Sequence, residues 1–370
     1  MAYTDIDDPS EYFQTLLYTG NGASSRALVN DGNSDLQPDF VWIKDRSAAY
    51  HHILGDSTRG SAKKLASDGS YDENDSTELN TSYGYADTFN TDGFTTGGGS
   101  TQVNKSSNNY VAWQWKANGG TTASNTDGSI TSTVQANTDA GVSILTYSAN
   151  ATGSATVGHG LGTTPAVVIL KKRSGTGDGN WMVGHKAYVG NAAENIALDG
   201  TGALATADDA AGSTWNRTAF TSTVFTLGDG QAGDWTGRTN RSGYSMLAYC
   251  FAEKKGYSKF GSYIGNGNAN GTFVHLGFKP AWVLVKATGV AQSWQLSDST
   301  RSPFNVINDR LSPNSAAGTA ESISWIDFTS NGFKLRHGDV AWNGSGGTYI
   351  YMAFAEHPFV SSKGVPTTAR

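Results

Sequence analysis

Residues able to do chemistry are present in this chain of 370 residues, but few of them stand in a spacing that chemistry uses. A glycosidase needs two carboxyls held about 5–10 Å apart in a groove. Asp56 and Asp298 are carboxyls of the right type, yet each occupies the same place in a repeated pattern, followed by an arginine (Arg59, Arg301). That placement predicts a structural Asp–Arg pair across a turn. Glu253 and Glu356 also correspond and read the same way. Ser61-Ala62-Lys63-Lys64 matches SxxK without its companion motifs, and no HExxH, CxxC, Walker A, strand-borne GxGxxG or GxSxG occurs. Neighbours His51 and His52 would face opposite ways on a strand, a poor arrangement for clasping one metal. Asp68 to Asp75 is rich in oxygen donors, but its spacing is not that of an EF-hand, and a solvated loop is expected. The expectation is therefore no catalytic residue, no metal and no cofactor. Exposed aromatics beside amides could still hold a sugar. Of the ten tryptophans, Trp42, Trp113, Trp115, Trp181, Trp282 and Trp294 fall in repeated strands, which leaves Trp215, Trp235, Trp325 and Trp342 as the candidates for glycan contact.

The elements that must position these residues recur three times, with a period of about 115 residues, about the size of one β-sandwich. An aromatic strand end runs into an Asn/Gly turn at Tyr18 to Gly22, Tyr147 to Asn150 and Tyr263 to Gly267, a hairpin signal. A strand opened by Pro and closed by Lys follows at Pro38 to Lys44, Pro165 to Lys171 and Pro280 to Lys286. Next, an aromatic, an aliphatic and a polar residue alternate: His52, Leu54, Asp56; Trp181, Val183, His185; Trp294, Leu296, Asp298. Period two puts each set on one sheet face. Two phenylalanines five residues apart then flank a turn, at Phe89/Phe94, Phe220/Phe225 and Phe328/Phe333. Each copy closes on an apolar run, Val111 to Trp115, Leu247 to Phe251 and Ile350 to Phe354. The expected fold is all-β, three tandem antiparallel β-sandwich repeats of lectin-like or jelly-roll type. Its boundaries are an N-terminal arm at 1–10, repeats at 11–119, 139–257 and 258–359, a linker with a short strand near Ile130 to Val134 at 120–138, and a tail at 360–370. The Pro-to-Lys and closing strands are apolar at successive positions and so on both faces, where a sheet facing water would alternate. Their outer faces must be covered by a neighbouring repeat, a long loop or another subunit.

Composition agrees. Charged residues make up 16% against roughly 25% on average, and 46 glycines suit short strands and tight turns. A net charge of −6, with basic residues scattered, argues against nucleic acid. Lys171-Lys172-Arg173, the densest basic cluster, is expected to be a solvated strand end. Cys250 is the only cysteine, so stability rests on packing, as suits assembly in a reducing cytoplasm. The acidic start, Met1 to Asp8, does not read as a signal peptide, and apolar runs fall far short of the roughly 20 residues that span a bilayer. Ordered termini would need a partner to tie them down.

Several strings carry a resemblance: Ile6 to Ser10 with Tyr12-Phe13-Gln14 and the following YTGNG; Asn30 to Lys44; Gly158 to Ser174; and Gly256 to Lys286. They resemble virion structural proteins of marine tailed bacteriophages of the cyanophage type, often described as tail-fibre proteins. The resemblance implies lectin-like sandwich repeats in a non-enzymatic viral protein, made in the host cytoplasm and exposed on the particle. A tail fibre or receptor-contacting component is the first expectation, capsid decoration the second; a carbohydrate-binding module and a polysaccharide depolymerase follow. The expected partners are other virion proteins, copies of the same chain (a trimer for a fibre) and a host cell-surface glycan, with no nucleic acid and no membrane insertion. Three concatenated sandwiches could also occupy a local threefold, imitating a trimer with one chain.

Overall fold

β-Branched and aromatic residues dominate the repeated runs, and in the computed structural model of the chain they form antiparallel sheets throughout. The structure describes residues 3–175, 179–207, 212–231, 235–318 and 324–367. Within them, three large sheets share one strand order: opening strand, closing strand, Pro–Lys strand, then the strand that ends in Asp or His. In the first sheet these are Phe13–Thr19, Asn109–Trp115, Phe40–Asp45 and Ile53–Asp56. In the second they are Val142–Ser148, Ser245–Phe251, Val167–Ser174 and Met182–His185. The third uses Ser258–Ile264, Thr348–Pro358, Phe278–Ala287 and Gln295–Asp298. A small sheet lies over each: Arg26–Leu28, Phe94–Gly97 and Tyr85–Phe89; then Thr156–Gly158 with Val224–Thr226; then Phe273–His275, Gly332–Leu335 and Ile326–Thr329.

Alternation of side chains divides each large sheet between two cores. Val41, Ile43, Tyr110 and Ala112 face the small sheet and pack with Leu28, Ala86 and Phe94. Phe40, Trp42, Trp113 and Trp115, one residue out of phase, face the other two large sheets. Val283, Val285, Tyr351 and Ala353 repeat the outer pattern in the third sheet, while Trp282, Leu284, Met352 and Phe354 join the shared interior. The doubly apolar strands are thus covered by neighbouring sheets of the same chain. At the centre, the equivalent residues Trp115, Phe251 and Phe354 touch pairwise, with ring centroids 6.4, 5.6 and 5.8 Å apart. Phe40 stacks on Tyr249 at 4.2 Å, and Trp115 meets Trp282 edge-on at 5.7 Å. The void left among the three sheets is only about 20 Å³, too small for a ligand.

Several sequence expectations change. The Asn/Gly turns are not hairpins: they carry the chain from a large sheet to its small one, since the strands on either side pair with different partners. A buried asparagine pins each turn. Asn104, Asn240 and Asn343 accept, at Oδ1, the N–H of Asn21, Asn150 and Asn266, and at the main-chain oxygen the N–H of Gly22, Ala151 and Gly267. Those three acceptor-bound residues all have positive φ, +79°, +56° and +67°, so the turn demands a left-handed residue and the second copy meets that demand with alanine. One residue before each asparagine, the carbonyls of Val103, Thr239 and Trp342 receive the hydroxyls of Tyr18, Tyr147 and Tyr263 at 2.6, 2.9 and 2.6 Å. In the third copy the Pro–Lys strand starts two residues early, at Phe278, and its register shifts around Pro280, which has no N–H for the ladder. Phe89 faces Phe94 and Phe328 faces Phe333 across hairpins as expected, whereas Phe220 lies outside any strand. The expected linker at 120–138 is part of the second sheet, adding Ala123–Asn125 and Ser132–Asn137 at its edge. The ends are tied to the chain itself: Ser362 donates to Asp7, and the N–H of Asp5 and the hydroxyl of Thr4 both reach the Lys255 carbonyl.

Asn343→Ala removes the side chain that pins the third turn and takes its hydrogen bonds from the part-buried main chain of Asn266, Asn268 and His337, a cost of about 1 kcal/mol. Urea unfolding should show that loss, and Asn104→Ala and Asn240→Ala should lose a similar amount.

Candidate functional site

Most residues singled out by their chemistry lie in the seams between the large sheets. Asp56 and Arg59 are fully buried and joined at 2.5 Å, as are Asp298 and Arg301, so the expected turn pairs form. Each aspartate also accepts from the next sheet in the ring: the Tyr249 hydroxyl reaches Asp56 at 2.8 Å, and Trp113 Nε1 reaches Asp298 at 3.1 Å. In the third seam His185 holds the aspartate's place and donates from Nε2 to the Tyr351 carbonyl at 3.2 Å. Its Nδ1 accepts the Ala187 N–H, and burial lowers its pKa to about 4, so it stays neutral. These carboxylates have no path to a groove.

The Pro–Lys lysines close the same ring. Lys44, Lys171 and Lys286 are buried, each with Nζ donating to a loop of its own sandwich, at Tyr50, Gly179 and Gln292, and to a carbonyl of another, at Ala316, Gly69 and Thr201. Burial lowers their pKa values to about 8, 7 and 8. Lys171 and Lys172 are therefore no solvated strand end. The acidic loop is only partly solvated: Asp72 pairs with Lys172, and Glu73 bridges Arg59 and Arg173 at 3.1 and 3.0 Å, stitching the first sandwich to the second. Burial opposes ionisation of Glu73, but the two arginines hold its pKa low. His51 bonds Asp68 at 2.8 Å and its pKa is raised by that bond, while His52, neutral through burial, accepts from Trp42 Nε1. Ser61 bonds Asp87, whereas Lys64 donates to the carbonyls of Asn80 and Gly84, so the SxxK atoms serve separate partners. Cys250 is buried, and burial pushes its thiol pKa up.

The tryptophan candidates for glycan contact need correction. Trp215 and Trp342 are 0% exposed and Trp325 is 4% exposed, so none of the three can meet a ligand. They pack against other rings, Trp215 on Phe220 and Phe225 and Trp325 on Trp342. They lie outside the regular strands yet inside the hydrophobic cores. The side chain of Trp235 lies outside the described residues.

Among the described residues the most exposed aromatic is Phe304, which strand periodicity does not flag, 75% accessible against 61% for Tyr3. It borders a groove of about 660 Å³ that Ile307, Phe328, Lys279, Glu356 and His357 also line. A second hollow of about 330 Å³ shares Lys279, Ser299, Glu356 and His357 and runs on to Asp31 and Asn33 of the first sandwich. Lys279 and Glu356 are paired at 2.6 Å. A signal did exist: where the first copy reads Asp-Ser-Thr-Arg-Gly-Ser-Ala at Asp56 to Ala62, the third reads Asp-Ser-Thr-Arg-Ser-Pro-Phe at Asp298 to Phe304.

The seam lysines generate a pH dependence. Folded Lys171 has a pKa near 7, whereas a free lysine titrates near 10.5. Between those values the unfolded chain holds more protons, so this term makes stability rise with pH above about 7, and below it the buried charge is a standing cost. The urea midpoint of Lys171→Met minus that of the parent should shrink as pH goes from 7 to 9.

Residues 8–358 match a protein family described as a domain of unknown function (DUF7483). No curated protein and no solved structure matches the chain. Since the match spans nearly all three sandwiches, the chain belongs to the DUF7483 family.

Proposed function

We propose that the chain is a non-catalytic structural protein of a bacteriophage virion, displayed on the particle, in which three copies of one sandwich surround a threefold axis and imitate a homotrimer. The observation that carries this reading is the closed ring of contacts. Tyr249 to Asp56, Tyr351 to His185 and Trp113 to Asp298 link second to first, third to second and first to third. The three seam lysines run in the same sense. The resemblance of four strings to cyanophage-type virion proteins supplies the setting.

Between the two virion roles, the ring favours capsid decoration over the tail fibre. A fibre trimer uses the faces of three chains to cover one another, and here those faces are already covered within one chain. A single chain with threefold-like symmetry suits a site where three or six other subunits meet. Among the described residues, the Asp–Arg pairs, the Glu73 bridge and the seam lysines are spent on holding the ring, which supports a scaffold rather than a catalyst.

Light scattering should give the mass of one chain, and tagged protein in intact particles should label the capsid shell. Label at the tail tip alone would move the role back to the fibre. Absence from purified particles, or turnover of host polysaccharide by the purified chain, would overturn the reading.

A further inference from the structure

The three sandwiches follow one plan, and the loop after the third Asp–Arg pair departs from it. In the first sandwich that loop continues Gly60-Ser61-Ala62; in the third it continues Ser302-Pro303-Phe304 and lifts a phenylalanine into solvent. The next most exposed phenylalanine among the described residues, Phe273, is 45% accessible against 75% for Phe304. An exposed ring is not held there by lack of order. Arg301, three residues back, is locked to Asp298 by both its main-chain N–H and Nε. Asn305, one residue on, makes two bonds to Phe328, donating from Nδ2 to the carbonyl at 2.7 Å and accepting its N–H at 2.9 Å. The ring is thus presented on a braced loop, and little ordering remains to be done when something binds.

We propose that the groove lined by Phe304 and the Lys279–Glu356 pair binds a neutral oligosaccharide. Its volume of about 660 Å³ lies within the range of small-molecule sites. A sugar ring has an apolar face of C–H bonds and a rim of hydroxyls. The first lies on Phe304, and the second meets the polar groups of Lys279, Glu356, His357 and Thr329 that line the same groove, Lys279 and Glu356 held by their ion pair. Other ligand classes fit less well. An alkyl chain would strip water from the ion pair without replacing its hydrogen bonds. A phosphate would need surplus positive charge, and Lys279 is already matched by Glu356 at 2.6 Å. The inference rests on the display part of the proposed function, because a groove facing a glycan must be exposed on the particle.

The test is a glycan array probed with the full chain, followed by calorimetric titration with the neutral oligosaccharide that gives the strongest signal. Phe304→Ala should weaken binding by about tenfold while leaving the melting temperature in place, and Phe304→Trp should restore it. Glu356→Gln should also weaken it. An array without signal, or equal affinity of the parent and Phe304→Ala, overturns the site. Phe304-dependent binding by a protein absent from virions would sustain the site and sink the virion role; cleavage of the bound sugar would sustain the site and sink the non-catalytic reading.

Discussion

A strand with apolar side chains on both faces has no face to give to water, and the architecture of this protein follows from that constraint. The Pro–Lys and closing strands of all three large sheets are of this kind, buried along nearly their whole length. One face of each sheet is covered by a small sheet two or three strands wide. The other can be covered only by something equally apolar, and the nearest such surfaces are the other two large sheets. Three sheets, each needing a cover and each able to provide one, close on a shared core in which Trp115, Phe251 and Phe354 meet. At about 25 cal/mol per Å² of apolar surface removed from water, burial on this scale is the main source of stability in a chain without cross-links.

Polar groups inside such a core are tolerated only when paired, and here they are placed where they also select an arrangement. An Asp–Arg pair that needs a tyrosine or tryptophan from the neighbouring sheet, and a lysine that needs a neighbour's carbonyl, are satisfied in one docking register. The seams differ in detail. The second copy replaces the aspartate with a neutral histidine, and the third replaces the seam aromatic Trp113/Tyr249 with Met352, leaving a main-chain carbonyl as the acceptor. Among the described residues Arg301 has no counterpart of the Glu73 that Arg59 enjoys, and one of its guanidinium nitrogens has no hydrogen-bond partner. Identical seams would let any sheet dock in any place; unequal ones assign each sheet its neighbour.

Much of this was legible in the residues. Four of the five repeated features name the strands of the large sheets, the phenylalanine pairs of the first and third copies mark small-sheet hairpins, and uninterrupted apolar runs signal a second cover. The Asp-x-x-Arg pairs form where spacing put them. What failed did so for physical reasons. Asn-Gly at Asn21 and Asn266 reads as a hairpin because local backbone preference is the same for any left-handed turn; whether the following strand pairs back depends on distant partners. The pinning asparagines Asn104, Asn240 and Asn343 were missed, although each precedes a tyrosine that opens the closing strand or its approach, because loop residues carry no period. Trp215, Trp325 and Trp342 read as candidates for glycan contact because they lie outside strands, yet a large apolar ring between strands packs into the core as well as one in a sheet. Phe304 escaped for the opposite reason: a single aromatic in a loop has no pattern, and only comparison between copies exposes it.

The central claim is that the three sandwiches are one cooperative body, because none can shed its neighbours without baring a sheet face. Differential scanning calorimetry tests this directly. The account predicts a single transition for the whole chain, with calorimetric and van't Hoff enthalpies equal. Three separable transitions, or a ratio of those enthalpies near three, would contradict it.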